Sequence, residues 1–484
     1  MRKIALTKWA ACALAVLLCA CGTMASARAE EQAENMTAGE LFRLGWNYDV
    51  GHGVEQSYEK ALEYYQLAAQ KGSTAAMNNL GSMYENGDGV AQDDQKAMEY
   101  YRQAAEKGNS YAMNNIGVMY ADGRGVQQDD ARALNWYEKA AKNGHAGAMN
   151  NIGCMYRDGR GVKQDDAKAL EWFVKAADGG EAQAITQIGN MYLLGRGLEQ
   201  SYEKAKECFG RAAQSGDTVA MVNLGDLYCD GVYEKPDYAT ALSWYAKAAS
   251  YGDDSAMNGI GVMLDEGLGV EQDYAEALQG YERAAERGNA IAMVNAGRLY
   301  YGGNGVEQDY AQARAWYERA AENGNISAMR DVGDLYRDGL GVGQDYAMAL
   351  EWYTKASELG DAGGMNRIGE LHRDGLGMEQ DLIKAWQMFV WASELESEDA
   401  KANLEAMEKA YMEPERYALV ATRKSPLSLR QTPEADGKII VEIPKGEIIR
   451  VLLDGEFPVV EYDGRRAYVN GKYLEMLTEN GAEN

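Results

Sequence analysis

Residues 109–144 read NSYAMNNIGVMYADGRGVQQDDARALNWYEKAAKNG, and residues 145–180 repeat them as HAGAMNNIGCMYRDGRGVKQDDAKALEWFVKAADGG. The 36-residue offset extends far in both directions. A turn glycine stands at Gly51, Gly87, Gly123, Gly159, Gly195, Gly231, Gly267, Gly303, Gly339 and Gly375, with no insertion between any two. A fixed period in this range means stacked supersecondary units, each burying its apolar face against the next. Within one unit, Ala76, Leu80, Met83 and Tyr84 recur at offsets of 4, 7 and 8. Ala97, Tyr100, Tyr101, Ala104 and Ala105 do so at 3, 4, 7 and 8. Both are single helical faces, so each unit is expected to be an antiparallel helical hairpin.

The helix ends are written in backbone chemistry. Before each second helix stands Ser57, Asp93, Asp129, Asp165, Ser201, Asp237, Asp273, Asp309, Asp345 or Asp381, whose oxygens can accept from the free first-turn N–H groups. Before the first helices the series runs from Thr37, Ser73 and Asn109 to Ser397, with His145 and Glu181 as the two poor caps. Glycine closes nine second helices from Gly72 to Gly360, and Glu396 takes the tenth place. Gly81 and its equivalents sit inside the first helix, where glycine costs about 1 kcal/mol against alanine. Close helix approach, with an aromatic pair such as Trp136-Tyr137 filling the gap, is the expected compensation. The recurring Trp136, Trp172, Trp244, Trp316 and Trp352 are expected in the core. Gly231-Val232-Tyr233 lacks the second turn glycine, so a different loop is expected there.

The unit Ala-Met-Asn-Asn-Leu-Gly-x-Met-Tyr, Gly-x-Gly-Val, Asp-x-x-x-Ala, Trp-Tyr-x-x-Ala-Ala-x-x-Gly resembles the Sel1-like repeat, a relative of the tetratricopeptide repeat. The resemblance covers residues 37–411 and implies an all-α right-handed solenoid of ten helix pairs plus a final helix at 398–411. It further implies binding of protein partners as a scaffold.

The flanks differ. Arg2, Lys3 and Lys8 precede an apolar run from Trp9 to Ala20, the pattern of an export signal. Leu18-Cys19-Ala20-Cys21 resembles a bacterial lipoprotein box, which implies lipidation of Cys21 and a lipid anchor as the sole membrane attachment, at the outer membrane in a Gram-negative cell. The alternative is cleavage after Ala27-Arg28-Ala29 and free release into the periplasm. Either reading places the protein in a bacterial cell envelope, with residues 1–21 as leader and 22–36 as a flexible linker. After a second linker at 412–426, the pattern turns to β: Leu427–Arg430 alternates, Lys438–Ile443 and Glu447–Leu453 are β-branched, and Asp463-Gly464 marks a turn. About five short strands suggest a small barrel. Residues 427–477 resemble a bacterial SH3-like domain, followed by a tail at 478–484. That implies a surface formed by Phe457, Tyr462, Tyr468 and Tyr473 for peptidoglycan or a protein, although Phe457, Pro458 and Ala467 depart from the pattern.

Composition narrows the function. Lys plus Arg is 48 against 75 Asp plus Glu, a net −27, so nucleic acid is not expected as a ligand. The capping carboxylates recur every 36 residues, which predicts acidic rows along the array and a basic partner. The histidines His52, His145 and His372 fall at unrelated places in the repeat, so no catalytic or metal constellation, and no cofactor, is expected. Cysteine-rich Sel1-like proteins of Helicobacter, sometimes labelled β-lactamases, carry a Cys pair in each repeat. Here Cys154, Cys208 and Cys229 form no such pattern, so a hydrolase of that type is the remote alternative. The residues marked for partner binding are Asn79, Asn115, Asn151, Gln187, Asn223 and Asn295, one slot of the first helix. Two readings stay open: a carboxamide row that clamps an extended peptide, or amides that bond a neighbouring loop.

Overall fold

The computed structural model describes residues 35–231, residues 235–411 and, in the tail, seven strands between 417 and 476. Two compact units divide near Pro236. The first holds α1 (Ala38–Val50), α2 (Tyr58–Gln70), α3 (Thr74–Asn86), α4 (Asp94–Glu106), α5 (Ser110–Asp122), α6 (Asp130–Lys142), α7 (Ala146–Asp158), α8 (Asp166–Asp178), α9 (Ala182–Leu194), α10 (Tyr202–Gln214) and α11 (Thr218–Asp230). The second holds α12 (Tyr238–Ser250), α13 (Asp254–Glu266), α14 (Tyr274–Glu286), α15 (Ala290–Gly302), α16 (Tyr310–Glu322), α17 (Ile326–Asp338), α18 (Tyr346–Glu358), α19 (Ala362–Asp374), α20 (Leu382–Glu394) and α21 (Glu398–Tyr411). Odd-numbered helices are first helices of a pair and even-numbered ones are second helices. Each unit is a solenoid-like stack in which every helix packs on its neighbours in sequence.

The caps act largely as the residue types dictate. Lys96 N–H donates to the Asp93 carboxylate at 3.0 Å and Ala112 N–H to Asn109 at 2.9 Å. Thr37 and Glu40 form a reciprocal capping box. Glu181 makes no side-chain cap, as its length suggests, but His145 does: Ala148 N–H donates to its Nδ1 at 2.9 Å. The expectation of a poor cap at His145 is therefore corrected. An imidazole nitrogen reaches the same N–H that a short carbonyl or hydroxyl oxygen reaches elsewhere. Glu396 keeps the left-handed backbone of the glycines it replaces, at φ 64°, so the final turn holds its shape without glycine.

The interior glycine has a physical cause. A Cβ on Gly117 would stand 2.5 Å from Tyr137 Cε1, and one on Gly153 2.5 Å from Phe173 Cε1. The ring of each second helix lies in a notch on the first. It is the second aromatic of the pair that fills the notch. Phe173 and Tyr353 are fully buried, whereas Trp136, Trp172, Trp244, Trp316 and Trp352 are only half-buried. Trp136, Trp172, Trp316 and Trp352 pack against the buried clusters from their margin, so the expectation of core tryptophans holds in part. Each lies beneath a cation three residues on, with Lys139 3.9 Å from the Trp136 ring centroid and Lys355 4.3 Å from that of Trp352. The i+3 spacing places both on one helical face.

The tail strands are β1 (Tyr417–Val420), β2 (Leu427–Arg430), β3 (Ile439–Ile443), β4 (Ile448–Leu453), β5 (Val459–Tyr462), β6 (Arg465–Tyr468) and β7 (Leu474–Met476). They form one antiparallel sheet in the order β3-β2-β6-β5-β4-β1-β7. Strand β1 falls within the stretch read as a linker, and pairs with β4 and β7. The leader with Cys21, the loop residues 232–234, Phe457 and Tyr473 lie outside the described residues. Tyr462 ends β5 and Tyr468 ends β6.

Candidate functional site

The first helices of each unit present successive copies of one face, set by residues three, four and seven apart on an α-helix. The marked amides stand on it, half-buried. In the first unit Asn115 Nδ2 donates to Asn78 Oδ1 at 3.2 Å, and Asn151 Nδ2 to Asn114 Oδ1 at 3.0 Å. Asn223 repeats the bond one turn along, to Asn190 at 3.0 Å. In the second unit Asn295 donates to Asn258 at 2.9 Å and Asn403 to Asn366 at 3.0 Å. The partner is thus the preceding first helix, which corrects the expected loop contact: stacking brings like helices side by side, so like residues meet. Asn79 donates to the Tyr65 hydroxyl at 3.0 Å, and Gln187 accepts from Arg157 at 2.5 Å. Asn403 belongs to the row although it lies on the final helix; its place 36 residues after Arg367 is the signal that could have found it. A carboxamide has two N–H donors and an acceptor oxygen, so one ladder bond leaves capacity for a further ligand.

Buried tyrosines of the second helices extend their hydroxyls to this face. Tyr65 donates to Asp49 at 3.0 Å, Tyr101 to Glu85 at 2.5 Å, Tyr281 to Asp265 at 3.1 Å and Tyr353 to Asp334 at 2.6 Å. Burial, reinforced by these carboxylates, pushes the phenol groups above their ordinary range. The two units differ in what surrounds this motif. In the first, the slot one turn beyond the ladder holds Trp46, Ser82, Val118, Cys154 and Asn190, with Asp226 as its one charged member. In the second it holds Val262, Arg298, Asp334, Glu370 and Ala406. Arg298 pairs with Asp265, while Arg367 pairs with Asp334 at 3.2 Å and Glu370 at 2.9 Å. Asp331 takes the amide slot itself. Its counterpart on the preceding first helix is Val294, and it makes no hydrogen bond or ion pair among the described residues. Burial pushes its carboxyl up to about 6, with Asp334 and Asp361 adding to the rise and Arg330 opposing it.

The loop edge shows the same division. In the first unit the capping carboxylates are matched by cations, with Lys96 3.5 Å from Asp93 and Arg132 3.2 Å from Asp129. Arg160 and Arg196 reach back to Asp130 and Asp166 at 2.7 and 2.9 Å, joining consecutive loops. In the second unit those arginine positions are Leu268, Asn304 and Leu340, and Tyr274, Tyr310 and Tyr346 replace the aspartates. Residues 267–276, 303–312 and 339–348 contain Glu271, Asp273, Glu276, Glu307, Asp309 and Asp345 without a lysine or arginine. The expected acidic rows are therefore carried by these three loops of the second unit, while at its last pair Lys384 lies 3.7 Å from the capping Asp381.

No group of three or more potential metal ligands occurs among the described residues. Cys154, Cys208 and Cys229 are free thiols. Burial raises the Cys154 and Cys208 thiols above their usual value, which keeps them protonated and unreactive. No described helix is long and apolar enough to cross a membrane.

The family model described as Sel1 repeat matches ten consecutive segments: 41–73, 74–109, 110–145, 146–181, 182–217, 218–253, 254–289, 290–325, 326–361 and 362–395. Among solved structures, the chain is similar to a protective antigen present in uropathogenic Escherichia coli strains that displays an SLR fold. The two share 33% identity over 77% of this chain and 80% of that one, with a TM-score of 0.47. A Sel1 repeat protein from Oxalobacter formigenes is 30% identical over 47% of this chain and 96% of its own, at a TM-score of 0.40. An immunity protein from Pseudomonas aeruginosa is 24% identical over 44% and 81%, at 0.36. No curated protein matches the sequence.

Proposed function

The chain belongs to the Sel1 repeat family, typically non-catalytic scaffolds for protein interaction, and from that premise we propose that it is an exported scaffold of the bacterial cell envelope. The observation that supports the binding reading is the amide-lined first-helix face, which carries Asn79, Asn115, Asn151, Gln187 and Asn223 in the first unit and Asn295 in the second. An extended peptide presents alternating N–H and C=O groups, and regularly spaced carboxamides offer both complements. Asn79, Asn115, Asn151, Gln187, Asn223 and Asn295 are the proposed contacts. The acidic loop edge of the second unit adds a preference for a partner with a basic surface or tail, whose association should slow as salt rises. Affinity purification of tagged protein from native envelopes, followed by mass spectrometry, tests the reading. Wild type should recover a partner that an Asn115→Leu/Asn151→Leu variant of equal helix content does not. Retention by that variant would remove the ladder from the binding site. An on-rate indifferent to salt would remove the electrostatic preference.

Anchoring through Cys21 completes this reading. Cys21→Ser should move the protein from the membrane fraction to the periplasm, while failure of wild type to take up labelled palmitate would favour cleavage near Ala29. A second role, peptidoglycan contact through an SH3-like tail domain, draws support from the seven-stranded antiparallel sheet between 417 and 476. Full-length protein should then be retained on sacculi and protein lacking 415–484 should not. Turnover of nitrocefin above a heat-killed control would instead revive the hydrolase alternative.

A further inference from the structure

The two caps that looked weakest in the sequence, His145 and Glu181, lie beside each other. His145 stands at the start of α7 where Ser73 and Asn109 stand in the preceding repeats, and its Nδ1 accepts from Ala148 N–H at 2.9 Å. A ring nitrogen accepts only through its lone pair, and an imidazolium has none left to offer. The partial positive charge of a helix N-terminus opposes a cation at the same place. Glu181, before α9, leaves its carboxylate out of any cap. The side-chain-free Gly147 lies between them: a Cβ there would be 3.1 Å from His145 Cε1 and 3.4 Å from Glu181 Oε2. From the other side Tyr111, in the first turn of α5, sets its ring edge-on to the imidazole, with centroids 4.7 Å apart. At this end of the hairpins Lys107, after α4, Lys142, which ends α6, and Asp178, which ends α8, are exposed, and the half-buried Asp217 caps α11 one repeat beyond Glu181. The first turn of α7 itself carries no acid.

We propose that His145 is a proton-sensitive latch on the joint between the repeats that begin at α5, α7 and α9. Neutral, it caps α7; protonated, it releases Ala148 N–H and turns toward the Glu181 carboxylate. Every other described first-helix cap in the first unit uses an oxygen that keeps its acceptor role through mild acid, apart from Glu181, which caps nothing. Among the described first-helix caps of that unit, this joint is thus the place where mild acid removes a cap. Burial holds the imidazole below its ordinary proton affinity, with the Glu181 charge opposing, so the latch is closed at neutral pH and opens only in acid below the ordinary imidazole range. This inference is independent of partner binding and of the localisation proposed above.

Amide hydrogen exchange on the full chain tests it, with rates corrected for the intrinsic effect of pH. Between pH 7.5 and pH 5, protection of the segment 146–149 should fall about fivefold in wild type, the worth of one cap. His145→Asn, which restores the cap chemistry of Asn109, should hold its protection at both pH values. His145→Ala should lack it at both. Unchanged protection in wild type, or an equal loss in His145→Asn, overturns the latch. In a proton NMR titration of His145, Glu181→Gln should lower the midpoint; an unmoved midpoint overturns the turn toward Glu181.

Discussion

Gly153 and Gly210 are both helix-interior glycines of the first unit, and alanine should affect them in opposite directions. On helix propensity alone each substitution stabilises by about 1 kcal/mol. At Gly210, in α10, a Cβ would meet nothing within 4 Å, so Gly210→Ala should realise most of that gain. At Gly153, in α7, it would stand 2.5, 2.6 and 3.0 Å from three carbons of the Phe173 ring. Carbon atoms rest comfortably at roughly 3.5–4.0 Å. The ring is fully buried among Ala169, Ala176, Ala184 and Met191, so relief requires α7 and α8 to separate. Overpacking of this kind costs about 1–3 kcal/mol. The net effect of Gly153→Ala is destabilisation by about 1 kcal/mol, which separates the two variants by roughly 2 kcal/mol. Thermal unfolding gives the sign, and hydrogen exchange of α7 and α8 gives the local magnitude, because a long array need not unfold as one step. Combining Gly153→Ala with Phe173→Leu should recover part of the loss. If Gly153→Ala proves as stable as Gly210→Ala, the notch does not determine the glycine.

At Asp331 the carboxyl binds its proton more tightly folded than unfolded, so its ionisation weakens the fold as pH rises from about 4 through about 6. Asp331→Asn should therefore be more stable than wild type by about 2 kcal/mol at pH 7.5 and lose that advantage near pH 4, as melts at both pH values would register. Arg298→Ala leaves the buried Asp265 with only the Tyr281 hydroxyl; a loss of about 2 kcal/mol is expected, against about 1 kcal/mol for Tyr281→Phe, both read from melts. Deleting the whole unit 109–144 should preserve a shorter folded array, whereas removing 381–411 should expose Ile368 and Leu371 and cause aggregation, visible by light scattering. The reverse ranking would refute the stacked-repeat account.

Everything that depends on neighbours in the chain was legible in the sequence. The 36-residue period, the helical faces, the capping aspartates and the closing glycines are local matters of φ, ψ and first-turn N–H groups, and the order of twenty-one described helices follows from them. Even the glycine notch was visible as a cost needing compensation. What depends on which side chains meet across helices was decided only by the tertiary structure. Asn115 finds Asn78 and not a loop because first helices stack against first helices. Tyr137 fills the notch and Trp136 stays half-buried because adjacent residues on a helix point about 100° apart, and only one can enter the neighbouring helix. The divided charge of the loop edges was present in the sequence, but its effect rests on Arg160 reaching Asp130 thirty residues back across a repeat junction. His145 looked like a defect by residue type; its nitrogen caps a helix because the fold turns the ring toward Ala148 and sets Glu181 beside it.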